Sequence, residues 1–323
     1  MTSIEWTDET WNPTDGCSVC SPGCANCYAM RFAGRFAKPG ERYHGLVKIG
    51  KNKRAVWTGE LRLDSGKLGK PLHWRRPRKV FVNSMSDLFH ENLSNEQIAA
   101  VFGVMAACPR HTFQVLTKRA RRKNEWFKWA RDRRDDFAAL AVGELGEDGY
   151  DYGDGAMFVP ESWPLPNVWL GVSVENQAAA DERIPELLAT PAAIRFLSCE
   201  PLLSRVDLFS FLRTPLRDES LRALGVSGPV PGVTWVIAGC ESGPGARLCS
   251  VTWIRSLRDQ CAAAAVPFFL KQAHEEIEPL RLDGSHEDEP PYSVGRGYGS
   301  TGKAGGVIGL PYLDGKQHAE LPK

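Results

Sequence analysis

The chain has 323 residues, of which 42% are hydrophobic, and this is enough to bury a large core within one α/β domain. It has no apolar run of about 18 residues and no charged and apolar signal segment at its start, which excludes a membrane span and favours the cytoplasm. The net charge is only +1, so nucleic-acid binding would require a local basic surface.

The first predicted element is a loop over residues 11–30 that carries Cys17, Cys20, Cys24 and Cys27. The last three have the spacing Cys-x3-Cys-x2-Cys, which would place three thiolates around a cubane iron–sulfur cluster and leave one iron without a protein ligand. A zinc site stays open, although two Cys-x2-Cys pairs so close together are crowded, and so does a four-thiolate electron-transfer cluster. Disulfides are less expected because the chain has nine cysteines, an odd number.

After the cysteine loop, short apolar runs alternate with amphipathic stretches, which predicts parallel βαβ units. Six strands are predicted, at 79–84, 112–116, 168–174, 194–198, 234–238 and 267–270. Helices are predicted after a capping box at Ser94–Gln97, after Lys118, and over 177–188 and 251–265. The fold class is therefore α/β, as a closed or partial parallel (β/α) barrel or as a doubly wound sheet, and we favour a partial barrel of about six strands.

A single domain is expected to span residues 1–323. Two stretches fall outside the alternation of strands and helices, namely 143–166, rich in Gly and Asp, and 283–306, rich in Gly, Pro and charge. Both are predicted to be long loops over one face of the fold.

Polar residues follow nearly every predicted strand. Because parallel α/β folds build their active sites at the carboxyl ends of the strands, these residues are expected to share one rim. A strand leaving a core must soon meet a polar residue in any case, so each position alone is about equally consistent with simple solvation. The recurrence of acidic groups favours a site, and the catalytic candidates are Asp87, Glu200, Glu241 and Lys271.

Residues 118–134 form a strongly basic stretch interleaved with Trp126, Phe127 and Trp129. Cations that bind phosphate beside aromatic rings that stack on bases are typical of a nucleic-acid groove. The alternative is a solvated helix whose aromatic side chains belong to the core.

Six segments resemble the phage-associated three-cysteine-motif proteins, a radical-SAM-like family, and lie at 11–17, 21–29, 81–90, 170–175, 238–247 and 268–272. The resemblance extends over most of the chain, to residues 313–315. It implies a partial parallel barrel, a 4Fe–4S cluster, and S-adenosyl-L-methionine bound at the open iron. The chemistry implied is a 5′-deoxyadenosyl radical that removes a hydrogen atom from a substrate, with electrons from a reductant protein such as flavodoxin or ferredoxin.

The family's spacing, Cys-x6-Cys-x2-Cys, selects Cys17, Cys24 and Cys27, whereas the general radical-SAM spacing would select Cys20 as the first ligand. We favour Cys17, with Cys20 as an alternate ligand. By analogy with other radical-SAM barrels, the cofactor-binding residues are Asn83, Ser84 and Ser86 for the methionine moiety, Ser173 and Glu175 for the ribose, and Gly239, Glu241 and Gly243 for adenine or substrate. A glycine-rich run such as 239–245 would also be typical of a tight turn.

The implied substrate is a nucleic-acid base or a nucleotide. A second class of function stays open, a non-catalytic nucleic-acid-binding module that zinc or an iron–sulfur cluster stabilises. The two classes differ in one testable respect, because only the enzyme would form 5′-deoxyadenosine from S-adenosylmethionine.

Overall fold

The computed structural model describes residues 4–51, 53–146, 156–213, 232–243, 245–274, 294–295, 307–309 and 312–322. Its centre is an eight-stranded sheet in which the strand order follows the chain order. The strands are β1 (Glu9–Trp11), β2 (Lys79–Val82), β3 (Thr112–Thr117), β4 (Val168–Ser173), β5 (Ile194–Cys199), β6 (Trp235–Gly239), β7 (Phe268–His274) and β8 (Val307–Gly309).

Strands β1 to β7 are parallel, and β8 adds to β7 in the antiparallel direction. When each strand pairs with the next one along the chain, every right-handed crossover returns on the same side of the sheet. The sheet therefore curls into a half-barrel with its helices outside.

The helices are α1 (Tyr28–Ala33), α2 (Ser65–Leu68), α3 (Asn95–Ala106), α4 (Ala120–Ala130), α5 (Phe137–Leu145), α6 (Gln177–Leu188), α7 (Phe209–Arg213) and α8 (Val251–Ala263). The expected capping box begins α3, since the Ser94 hydroxyl accepts from the Gln97 backbone N–H at 3.1 Å and the Gln97 side chain accepts from the Ser94 N–H at 3.2 Å. Within the described ranges, no helix has the length and apolar character needed to cross a membrane.

Apolar residues occupy both faces of the sheet, as the two-residue period of a doubly covered strand requires. The larger core lies between the strands and the outer helices and includes Val80, Val82 and Leu197. A smaller cluster fills the concave face, where the Trp6 ring lies 4.8 Å from Phe81 and 6.0 Å from Trp235. The Trp6 side chain, in the segment before β1, thus fills the concave side of the half-barrel. The polar groups lie at the carboxyl ends of the strands.

Residues 28–63, which we call the N-terminal lobe, form a small unit with its own core. It contains α1, a hairpin of Val47–Ile49 with Ala55–Trp57, and the strand Arg62–Leu63, which pairs with Thr14–Asp15. Its buried residues include Met30, Tyr43 and Trp57. The remaining short strands are Val294–Gly295, Tyr312–Leu313 and Lys316–Gln317, which form a separate antiparallel sheet.

All six predicted strands are present, which confirms the α/β class and the parallel sheet. The predicted strand number was too low, because β1 precedes the cysteine loop and makes a seventh parallel strand. The predicted loop 143–166 was partly wrong, since α5 continues to Leu145 and Ala156–Phe158 is a 3₁₀ helix. Residues 147–155 and the predicted loop 283–306, apart from Val294–Gly295, lie outside the described residues.

Candidate functional site

The cysteine loop follows β1 directly and crosses the mouth of the half-barrel. Near the end of β3, the Ser18 hydroxyl accepts from Arg119 Nη2 at 2.7 Å and lies 2.8 Å from His90 Nε2. Near the end of β6, Asn26 Nδ2 donates to Glu241 Oε2 at 2.8 Å and to the Gly245 carbonyl at 2.9 Å. The loop is therefore anchored at both sides of the rim by side chains that follow strands.

The middle of the loop is held at the end of β4 by Glu175, which is fully buried. Arg183 Nη1 donates to its carboxylate at 2.8 Å, and the Ser21 hydroxyl also donates to it. Burial opposes ionisation, but these hydrogen bonds and the charges of Arg183 and Lys118 lower the pKa of Glu175 below its usual value. A Cβ at Gly23 would lie 3.1 Å from the Glu175 carboxyl carbon, so the absence of a side chain at Gly23 permits this close approach.

The four thiols of the loop form two pairs. Cys17 and Cys27 pack against the small core of the N-terminal lobe, whereas Cys20 Sγ lies 4.0 Å from Cys24 Sγ. The hydrogen bond with Cys20 and the positive charge of Lys118 lower the pKa of the Cys24 thiol, while burial raises the pKa of the Cys17 thiol to about 12. Arg119 Nη1 lies 3.9 Å from Cys17 Sγ.

Four thiols on one short loop, with Lys118 and Arg119 beside them, are the soft donors that iron–sulfur clusters and zinc take. In the part of the chain that the structure describes, no three His, Cys, Asp or Glu side chains are grouped so that they could bind one metal ion. The chemistry of the donors fits a cluster held by thiolates, and all four cysteines lie within the same loop.

Two of the four catalytic candidates are fully engaged in holding the rim together. Asp87 accepts hydrogen bonds from the Thr117 hydroxyl at 2.7 Å, from the Phe89 and Lys118 N–H groups and from Arg119 Nη1 at 3.1 Å. The Glu241 carboxylate accepts a hydrogen bond from Asn26 and three from N–H groups of Arg247, at 2.6, 2.9 and 3.0 Å. Although burial opposes it, this hydrogen bonding holds the pKa of Glu241 at about 2, so the residue is an ionised anchor.

The other two candidates, Glu200 and Lys271, face each other across the ends of β5 and β7. Lys271 Nζ lies 2.7 and 2.9 Å from the two oxygens of Glu200, and Gln272 Nε2 donates to the same carboxylate at 2.8 Å. Neighbouring residues of a strand normally point to opposite faces, but the register of β6 and β7 shifts between Ala238 and Gly239. This irregularity skips Lys271 and brings both side chains to Glu200, as a β-bulge beside a functional site does.

The predicted cofactor residues after β2 are in different environments. Asn83 is 4% exposed, has φ of 59°, and neither atom of its side-chain amide has a hydrogen-bond partner among the described residues. Ser86 is engaged by the Thr14 hydroxyl at 2.7 Å, and the Ser84 hydroxyl donates to Asn12 Oδ1 at 3.1 Å. A buried amide without partners is unfavourable, so Asn83 is the residue here that most requires a ligand or an ordered water.

The remaining predicted cofactor residues lie at the ends of β4 and β6. The Ser173 hydroxyl accepts from Lys118 Nζ at 3.2 Å. A Cβ on Gly239 would lie 3.3 Å from Glu200, and one on Gly243, where φ is 87°, would lie 2.4 Å from Arg31 Nη1. Gly243 therefore admits Arg31, whose Nη2 donates to the Ser242 carbonyl at 2.9 Å. The structure brings these residues to the rim, and their contacts with a cofactor stay predictions.

The cations that organise the rim were not singled out from the sequence as partners of the acidic candidates. Arg119 binds Asp87 and Glu91, Arg183 binds Glu175, and Arg247 binds Glu241. Asn26 joins the loop to Glu241. Arg247 lies six residues after Glu241 at the end of a glycine-rich turn, which is a local signal. The pairing of Arg119 with Asp87 depends on the adjacency of β2 and β3 and has no signal in the linear sequence.

The residues of the basic stretch 118–134 divide between the core and the solvent. Trp126 and Phe127 of α4 are 0% and 2% exposed and belong to the outer core, so they cannot stack on bases. Lys123 is fully buried and Arg119 binds Asp87, whereas the Arg121 side chain lies on the solvated face of the helix. These positions favour the alternative that the sequence left open, a helix with a solvated face and a core face.

The chain belongs to a protein family described as a protein of unknown function (DUF5131), whose model matches residues 1–322. Comparison with curated proteins and with solved structures finds no match. The site itself must therefore carry the functional argument.

Proposed function

We propose that this member of the family is a radical S-adenosylmethionine enzyme whose cysteine loop holds a 4Fe–4S cluster. The observation that supports it most is the position of the loop, which follows β1 and is tied to Arg119, Glu175 and Glu241 after three other strands. Thiols would thereby be held at the carboxyl edge, where parallel barrels carry out their chemistry. Cys17, Cys24 and Cys27 would be the ligands, with Cys20 beside Cys24 as the alternate.

The loaded cluster and cofactor would supply a 5′-deoxyadenosyl radical that removes a hydrogen atom from a substrate carbon. The protein's own part is to hold the thiols as thiolates, to orient the cofactor and to position the substrate. The hydrogen bond with Cys20 and the charge of Lys118 lower the pKa of Cys24, whereas burial raises the pKa of Cys17 and the charge of Arg119 offsets only part of that rise. Asn83 has a free amide donor and acceptor to offer a polar group such as the amino acid end of the cofactor.

We place substrate contact at Glu200, Lys271 and Gln272. Asp87 and Glu241 have their oxygens filled by the hydrogen bonds that hold the rim, whereas Glu200 is bound through side chains of a single strand. The Glu5 carboxyl interacts electrostatically with Lys271 and Glu200, and desolvation raises its pKa. Two carboxyls and an ammonium in one group can bind a polar substrate and move a proton after hydrogen-atom removal. A reductant protein such as flavodoxin or ferredoxin would serve the enzyme in the cytoplasm.

The test is anaerobic reconstitution with iron and sulfide, followed by incubation with dithionite and S-adenosylmethionine. We expect about four irons and four sulfides per chain and formation of 5′-deoxyadenosine. Cys24→Ala and Cys27→Ala should abolish both, whereas Cys20→Ala should retain them. Cys108→Ala is the control, since Cys108 is buried in the outer core away from the loop.

Glu200→Gln separates cluster binding from substrate chemistry, because it should retain the cluster. Bound zinc without iron or sulfide, and no 5′-deoxyadenosine, would instead identify a metal-stabilised binding module and contradict the proposal.

A further inference from the structure

The N-terminal lobe is strongly basic. Residues 28–63 contain nine lysines and arginines against two glutamates, a net charge of +7 in a chain whose total is +1. The exposed cations include Arg35, Lys38, Lys48, Lys51 and Lys53. The chain outside this lobe is net acidic overall, although residues 118–134 also carry a net charge of +7.

The same lobe exposes aromatic rings in a row. Tyr28, Phe32 and Phe36 recur every four residues along α1 and the 3₁₀ turn that continues it, and they are 51%, 44% and 43% exposed. The Phe32 and Phe36 rings lie 5.3 Å apart, centroid to centroid. Contiguous apolar surface is unfavourable in water, so a row of half-exposed aromatic rings indicates a binding surface.

The cations and the rings belong to one surface. A Cβ on Gly34 would lie 2.5 Å from Ala55 Cβ and 3.6 Å from Ile49 Cδ1, so the end of α1 packs directly on the hairpin that carries Lys48, Lys51 and Lys53. Ile49, beside Lys48, is 55% exposed and extends the apolar row.

This surface begins at the rim of the half-barrel. The Tyr28 hydroxyl donates to the Ser84 carbonyl at 2.7 Å, in the segment of Asn83. Arg31, one turn along α1, donates to the Ser242 carbonyl in the glycine-rich turn after β6. A polymeric ligand bound along the rings would thus extend from the lobe to the mouth of the candidate site.

We propose that the N-terminal lobe binds single-stranded nucleic acid, with phosphates on its lysines and unpaired bases on Phe32 and Phe36. Positive charge alone would suit any polyanion, but exposed rings interleaved with cations match a strand whose bases are free to stack. A duplex keeps its bases inside and could use only the charge. The inference deepens the proposed function by naming the substrate class, and it rests on that function only for the chemistry that follows binding.

The test measures binding by fluorescence anisotropy with labelled oligonucleotides of about 15 nucleotides, single-stranded DNA and single-stranded RNA in separate arms, and a duplex for comparison. The full chain is used with and without its cluster, and binding is measured separately from 5′-deoxyadenosine formation, so that a failure of one and a failure of the other are distinguishable. Phe32→Ala and Phe36→Ala should each weaken binding roughly fivefold or more, since a stacked base contributes about 1–3 kcal/mol. The tighter of the two single-stranded arms identifies the natural strand.

A triple variant, Lys48→Gln, Lys51→Gln and Lys53→Gln, should weaken the salt dependence, so that the slope of log K against log salt becomes less steep by about 2. Each phosphate that a lysine no longer neutralises reduces the steepness by about 0.7. Arg121→Gln with Arg131→Gln on and beside α4 is the matched control and should leave the affinity unchanged. Circular dichroism checks that each variant is folded.

Three results would overturn the inference. One is a wild-type protein that binds no single strand at low salt, and another is an equal loss of affinity in the α4 control. The third is polyglutamate that competes as well as an oligonucleotide of equal charge, with no effect of the Phe substitutions. That last result would identify a docking site for an acidic protein instead.

Discussion

Glu175→Gln should destabilise the protein by about 3–5 kcal/mol, although the side chain keeps its size. Glu175 is fully buried and Arg183 is 4% exposed, with 2.8 Å between Nη1 and Oε2. The amide would leave the Arg183 guanidinium as a buried charge without a counter-charge, and breaking a buried pair in this way typically costs that much. Ser21 would also lose its charged acceptor, which loosens the middle of the cysteine loop.

Urea denaturation at neutral pH measures the change in the free energy of unfolding. The control is Glu182→Gln, because Glu182 lies 4.0 Å from the same arginine but its side chain is 73% exposed, so the loss should stay below about 1 kcal/mol. The gap between wild type and Glu175→Gln should also depend on pH. The pKa of Glu175 is lowered by folding, so its contribution is present above the ordinary value of 4.5 and is lost as the pH falls through the lowered value. A loss of less than about 1 kcal/mol for Glu175→Gln would refute the reasoning.

Two further predictions concern stability. Lys123→Met should stabilise the fold by about 1–3 kcal/mol in the same urea assay, because the buried amino group of Lys123 has no hydrogen-bond partner among the described residues. Burial lowers the pKa of Lys123 well below its ordinary value of 10.5, so the unfolded chain binds more protons than the folded protein between the two pKa values. The stability of the wild type should therefore rise with pH up to about 10.5, and Lys123→Met should lack this rise. Gly243→Ala should destabilise more than Gly40→Ala by thermal unfolding, since both have positive φ but only the Gly243 Cβ would meet Arg31. Equal losses would mean that the contact with Arg31 is unimportant.

The strands that sequence reasoning found are those whose own residues fill the core. Residues 80–82 and Trp235–Gly239 are continuous apolar runs that are covered on both faces. Glu9–Trp11 escaped because only one of its three residues is buried and its strand character comes from pairing with β2. A short edge strand defined by its neighbour leaves little pattern in a single sequence.

The location of the rim could be predicted, because the residues that follow parallel strands all lie at the same edge of the sheet. Its internal pairing was not, since Arg119 reaches Asp87 and Arg183 reaches Glu175 only after the strands and helices are packed. The density of charge along the chain also does not show where the charges lie in the fold. The cations of 118–134 divide between core and solvent around one helix, whereas those of residues 28–63 are spread along the sequence and gathered by folding.

The central claim is that three thiolates of the cysteine loop hold a 4Fe–4S cluster with one open iron. Mössbauer spectra of the anaerobically reconstituted, ⁵⁷Fe-labelled protein, with and without S-adenosylmethionine, test it most directly. We predict a cubane spectrum in which about one iron of the four changes its environment when the cofactor is added. A protein that takes up zinc but no cluster, or a cluster whose four irons are all unaffected by S-adenosylmethionine, would contradict the claim.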